Sequence, residues 1–231
     1  MDIMILAEEV LLLALDDESG KLSGTSAPYI NYAIAGSLLT DLALMGRIAF
    51  ETMKKDKIVV QIIDDQLTQD PLLDKALIII QEYSKERKID KIVHLLIRKY
   101  SEFREGLFSR LVEQGILERV EKLRLKIFKY VRHPVINPSP KDAILVDIQD
   151  FIVDDKHPSD RIVGLLAIIG ATEMIGTVFA KEYRKRAKKK IRAIIDSDLI
   201  GSHLKSIIQS IHAAVAIAVI TSSTAATSSI H

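Results

Sequence analysis

From residue 5 to residue 15 the chain reads "ILAEEVLLLAL", apolar except for Glu8 and Glu9. The run predicts a buried helix. It stops at "DDESG", where Gly20 supplies a positive-φ position. After the loop "KLSGTSAP", Pro28 can open a second helix, because a first-turn residue needs no N–H partner. That helix is expected to run to about Met45. "RIAFE" and "KIVVQIID" then alternate or run apolar at strand length across the lysine-rich "TMKKD", which predicts a hairpin over 47–63. The stretch "LTDLALMGRIAFE" therefore joins leucines at helical spacing to a glycine stop and a strand. "SRLVEQGILERV" repeats that order ahead of a second predicted hairpin over 120–131.

Asp70-Pro71 offers an N-cap and a first-turn proline to the helix "PLLDKALIIIQEYSKERK". Further helices are expected near 91–98 and over "SEFREGLFSRLVEQG". "HPVINPSPKD" holds three of the chain's six prolines and is its clearest break. Helical patterns resume over 141–153, over 160–195 with one interruption, and over 203–220. The expected fold is mainly α. It is a single domain over 1–221, with apolar core helices, amphipathic outer helices and two or more short β-hairpins. A flexible polar tail is expected over 222–231. The two helix–Gly–hairpin units share no common linker, so no solenoid is inferred.

Two apolar segments raise the question of a membrane span. "IVGLLAIIGATEMIGTVFA", 162–180, has about the length of a bilayer crossing, and 213–220 is uniformly apolar. Glu173 lies near the middle of the first, and a central carboxylate costs a spanning helix several kcal/mol. Both are therefore expected to be buried core helices. At the N-terminus, "MDIMILAEEVLLLAL" carries Glu8 and Glu9 in its middle and lacks a basic n-region and an A-x-A site, so no secretory signal is expected.

Composition narrows the picture only a little. A chain of 231 residues buries roughly 70–75% of its unfolded surface and needs no staples. The absence of cysteine fits a reducing, cytoplasmic setting. A net charge of +1 does not advertise a nucleic-acid partner. The histidines at 94, 133, 157, 203, 212 and 231 include no i, i+4 pair, so each reads as structural and no metal site is expected. No nucleophile elbow, P-loop or dinucleotide fingerprint occurs, and the acidic pairs sit at element ends. Nothing calls for an enzyme or a cofactor.

The strongest charge feature is "KEYRKRAKKKIR", 181–192. Tyr183, Ala187, Ile191, Ile194 and Ile195 can form one packed face. Arg184, Lys185, Lys188 and Lys189 lie on the remainder, either simply solvated or facing an anionic membrane. A different class of function, a winged-helix-like nucleic-acid binder, is suggested by the two helix–Gly–hairpin units. It is weakened by "TDLAL", which offers no basic or amide side chain, and by Glu113 beside Arg110 and Gln114 in "SRLVEQ".

In order and spacing, "LAEEVLLLALDDESG", "LLTDLALMGRIAFE", "FREGLFSRLVEQGIL", "RHP" at Arg132–Pro134, "DRIVGLLAIIGATEMI" and "IRAIID" resemble the Golgi phosphoprotein 3 family. The resemblance covers nearly all of residues 5–220 and implies a mainly helical fold. It also implies a peripheral membrane adaptor that binds phosphatidylinositol 4-phosphate at Golgi membranes and holds glycosyltransferases through their cytoplasmic tails. Family members self-associate through the equivalent of hairpin 120–131. The family's headgroup pocket uses a Trp in the loop after the first helix, an Arg in the second helix, and two basic residues three apart at the start of the "REGL" helix. Here the loop is "KLSGTSAP" and the chain has no Trp. Ala35 stands at the second-helix position, Ser101 at the first of the paired positions and Arg104 at the other. The resemblance therefore points to a bacterial or archaeal member with an altered pocket, whose ligand is another anionic lipid or none. What is left of the pocket is Arg104 one turn into its helix, the Ser101 hydroxyl, and Lys99 and Arg98 just upstream.

Overall fold

The computed structural model describes residues 4–24, 26–54, 57–124, 128–154, 156–196, 205 and 208–216. Helices α1 (Leu6–Ala14) and α2 (Ile30–Leu44) have almost no polar face, and both run through the interior. A helix apolar all round must be covered on every side. Here α7 (Asp160–Ala171) packs on α2, and α3 (Pro71–Glu82), α4 (Ile89–Arg98) and α5 (Tyr100–Glu113) pack round the pair from another direction. A methyl group added at Gly36 would stand 2.7 Å from Ile168 Cδ1 and 2.9 Å from Val215 Cγ2, so those side chains pack directly over the bare backbone of α2. Helix α6 (Ser139–Ile152), the short α8 (Ile175–Val178), α9 (Arg184–Asp196) and helical residues 208–216 complete the described helices.

The two expected hairpins are both present. Strands β1 (Ile48–Met53) and β2 (Lys57–Ile62) pair antiparallel with Ile48 opposite Ile62. Strands β3 (Val120–Arg124) and β4 (Phe128–Arg132) pair with Val120 opposite Arg132. Gly46 and Gly115 stop the preceding helices at φ of 70° and 68°. Asp70 caps α3 by accepting from the Leu72 and Leu73 amides at 2.9 and 3.1 Å.

Several expectations need correction or limits. Pro28 does not open α2. The helix begins at Ile30, and Pro28 lies in the preceding turn, where the Tyr29 amide donates to Ser26 O at 3.0 Å. The segment 160–195 breaks twice rather than once. Glu173 takes a left-handed backbone (φ 55°) just past α7, which frees its carboxylate to reach solvent and turns the chain. Burial of 162–180 therefore holds for α7 and Phe179 but not for Glu173, Ala180 or α8. No described helix is long and apolar enough to cross a membrane. Of the apolar segment 213–220, Ala214 and Val215 are buried as expected, whereas Ala213 and Ala216 are half-buried; Ile208 and Ile211 ahead of it are buried too. Residues 217–220, the tail 222–231 and the second hairpin's tip, 125–127, lie outside the described residues.

Charge also reaches the interior. Glu8, Glu9 and Asp41 are buried. Arg161 on α7 bridges Glu9 Oε1 (2.9 Å) and Asp41 Oδ1 (3.3 Å), and it also donates to the Met4 carbonyl. Arg110 on α5 bridges Glu8 Oε1 (3.1 Å) and Asp70 Oδ2 (2.5 Å). The free amides at the start of α1 are satisfied from the same cluster: Ile5 donates to Glu8 (2.9 Å) and Leu6 to Asp41 (2.7 Å).

Candidate anion-binding site

Helix α5 begins where α4 ends, with Lys99 serving as the boundary residue of both. Phe103, Leu107, Phe108 and Leu111 face the core, which turns Ser101, Arg104 and Glu105 outward. The Arg104 guanidinium lies 5.2 Å above the Phe108 ring, and among the described residues it has no carboxylate partner. Beside it the His133 ring stacks on Phe108 with centroids 3.9 Å apart and 15° between planes. Ser101, Arg104, Glu105, Phe108, Arg119 and His133 line much of a cleft of about 540 Å³ between α5 and the second hairpin.

The cleft depends on one turn. Gly20 accepts from the His133 amide at 3.5 Å, and its own φ is +59°. A Cβ there would stand 2.3 Å from the His133 carbonyl carbon, so only glycine allows the first loop to lie against the segment that carries His133. Burial, and then the charges of Arg104 and Arg119, push the His133 pKa down. His133 is therefore neutral at pH 7 and offers one N–H donor and one acceptor. Arg119 pairs with Glu121 at 2.8 Å, both about half exposed, a contact that a stronger anion can displace.

Of the four residues singled out at the α5 start, Ser101 and Arg104 come together in this cleft. Lys99 and Arg98 do not line it. Lys99 pairs with Glu102 at 3.0 Å, and Glu102 also takes Lys75 at 2.5 Å. The hydrogen bond from Lys75, followed by that from Lys99, holds the Glu102 carboxyl below its usual range. Arg98 is exposed in the last turn of α4. Arg119 and His133 were not expected here. The only sequence signal for either is the "RHP" triplet. Ala35, at the position of the family's second-helix Arg, is buried within α2.

The basic helix α9 buries Ala187, Ile191, Ile194 and Ile195 as its spacing predicts. Lys185, Lys188, Lys189 and Arg192 are exposed, with no carboxylate partner among the described residues. Lys185, Lys188 and Arg192 edge a groove that Ile175, Ile191 and Ile195 also line. Arg184 differs from them: its guanidinium donates to Phe179 O (3.0 Å) and Gly176 O (2.7 Å), closing the α8 turn. Contacts connect the two cationic regions. His133 meets Gly20, Ser23 meets Thr177 on α8 (3.5 Å between hydroxyls), and Gly176 meets Arg184.

The sequence profile described as Golgi phosphoprotein 3 (GPP34) matches residues 6–211. Vacuolar protein sorting-associated protein 74 of Schizosaccharomyces pombe is 32% identical over 157 residues, 61% of this chain and 46% of that protein. The protein of the same name from Eremothecium gossypii matches at the same identity and coverage, 32% over 157 residues. The chain thus spans a little under half the length of these curated relatives. With the helical core and both hairpins in place, the match over 6–211 means that the chain belongs to the Golgi phosphoprotein 3 family.

Proposed function

We propose that this chain is a non-enzymatic adaptor, peripheral on the cytoplasmic face of an anionic membrane, with a lipid phosphate seated in the Arg104 cleft. The observation that carries this reading is Arg104 itself: an exposed guanidinium, braced on Phe108, beside Ser101 and His133, with no carboxylate partner among the described residues. A phosphomonoester brings about −1.5 to −2 charge and three acceptor oxygens. Arg104 supplies charge-assisted donors, Ser101 a hydroxyl and neutral His133 one further N–H. Glu105 and Glu113 also line the cleft, which keeps the site weaker than one built from several cations. The loss of the family's Trp, second-helix Arg and first paired basic residue fits a reduced pocket, and a bacterial or archaeal placement is inferred from those same positions. The lysines of α9 add nonspecific attraction, each worth about 1 kcal/mol near an anionic surface.

Self-association belongs to the same proposal. A two-stranded hairpin is marginal alone, and Leu123 on β3 is 61% exposed. Removing residues 120–131 should lower the particle mass in light scattering while the helical circular dichroism persists. An unchanged mass refutes this part of the proposal. The nucleic-acid alternative has little support: α2 is buried, and the exposed side of α5 carries Glu102, Glu105 and Glu113.

The test is sedimentation with phosphatidylcholine vesicles containing either phosphatidylinositol 4-phosphate or phosphatidylserine. Arg104→Ala should weaken binding to the phosphoinositide vesicles about tenfold, the loss of one charge-assisted contact. Lys188→Ala with Lys189→Ala should have a smaller, salt-sensitive effect on both vesicle types. If Arg104→Ala changes nothing and the lysine pair abolishes binding, the cleft is not the seat. If neither vesicle sediments the wild-type protein, the membrane reading fails.

A further inference from the structure

Four carboxylates meet two guanidiniums where α1, α2, α3, α5 and α7 converge. Glu8 is 0% exposed, Asp41 5% and Glu9 8%. Asp70 on the α3 side and Asp147 on α6 add negative field, and Arg110 and Arg161 are the cations that oppose it. Two buried oxygens have no hydrogen-bond donor among the described residues, Glu8 Oε1 and Glu9 Oε2. The first still lies 3.1 Å from Arg110 Nε, in ion-pair contact without bond alignment.

With every group ionised, the four carboxylates and two guanidiniums carry a net charge of −2 in a largely water-excluded site. An uncompensated buried charge is strongly unfavourable, and the ordinary escape is to take up a proton. The geometry provides a place for it. Glu9 accepts from Arg161 through Oε1 only, so Oε2 can be protonated without loss of that contact. Asp41 uses both oxygens, one for the Leu6 amide and one for Arg161. We propose that the Glu9–Asp41 pair binds one proton in the folded protein on the acid side of neutrality, which makes the packing of α1 on α2 and α7 proton-linked.

Burial, only partly offset by Arg161, pushes the Asp41 pKa up to about 7 and raises that of Glu9 as well. Because the two share one guanidinium, they titrate as a pair. A carboxyl raised on folding binds more protons in the native than in the unfolded state, between its unfolded pKa near 4 and its folded one. Its contribution is therefore full at low pH and is lost as pH rises through about 7. His133 and His212, both lowered by burial, act in the opposite sense below about 6.5. The diagnostic quantity is thus the difference between wild type and variant.

The test is urea unfolding of the full chain from pH 5 to pH 8 for wild type, Asp41→Asn and Glu9→Gln. Relative to either variant, the wild-type folding equilibrium constant should fall by up to about tenfold per pH unit between 5 and 7, then level off. Parallel curves for all three proteins overturn the proposal. Side-chain carboxyl carbon resonances give a readout that does not depend on how well a variant folds. One of the Asp41 and Glu9 signals should titrate near neutrality in wild type. Titration of both below pH 5 also overturns it.

Discussion

Arg161 and Arg104 are the same side chain put to opposite uses. Arg161 reaches across 152 positions to Glu9 and 120 positions to Asp41, and it also holds the Met4 carbonyl. It fixes where the chain enters α1, and its donors are already taken by two buried carboxylates and a carbonyl. Arg104 stands on an aromatic ring with its donors free of carboxylates among the described residues. The difference shows why a count of basic residues says little about ligands. The positive charge that matters for binding is the part the fold has not already used. Arg184 makes the same point on α9, where its guanidinium is committed to α8 while Lys185, Lys188 and Lys189 are not.

The contrast can be tested at several strengths. Arg161→Ala should be the most damaging change. It leaves two buried carboxylates unpaired and should cost about 3–5 kcal/mol in denaturant unfolding; a cost below about 1 kcal/mol would show that the cluster relaxes or fills with water. Gly20→Ala comes next. The left-handed backbone alone costs about 1–3 kcal/mol, and the clash with His133 adds to that. Its loss in melting temperature should be accompanied by loss of vesicle binding, because His133 is displaced from the cleft. Arg104→Ala should leave stability within about 0.5 kcal/mol of wild type, as an exposed substitution does, while weakening binding to phosphoinositide vesicles. Replacing Lys188 and Lys189 by Ala should change stability least of all, and its effect on binding should fade as salt rises from low to physiological concentration.

The local features of the fold were readable from the sequence, because short-range chemistry sets them. Asp70-Pro71 starts a helix, Gly46 and Gly115 end helices, and the β1–β2 hairpin follows from its apolar runs. Pro28 was misassigned because proline suits a turn as well as a first helical position. One interruption of 160–195 was expected, but its place at Glu173 was not readable, because residues other than glycine seldom adopt that backbone. Half of the cleft was readable as well. Ser101 and Arg104 lie on one helix, whereas Arg119 and His133 arrive through the second hairpin and the contact with Gly20. The ionic cluster could not have been read at all. Glu8 and Glu9 are two charges in an apolar run, and their partners lie about a hundred or more positions away, so only the packing of α5 and α7 on α1 reveals why burial tolerates them.

The stacking of His133 on Phe108 makes the cleft an intrinsic magnetic probe. An imidazole lying face to face with a benzene ring at 3.9 Å sits in the shielding cone of its ring current, so the His133 carbon-bound protons should resonate upfield of those of the other histidines. An anion arriving at Arg104 would stabilise the imidazolium and raise the His133 pKa from its lowered value. The same displaced signal that identifies the residue would therefore shift its titration midpoint when the cleft fills. Occupancy could then be followed in the unlabelled, unmodified protein, with inorganic phosphate or a soluble headgroup as the titrant.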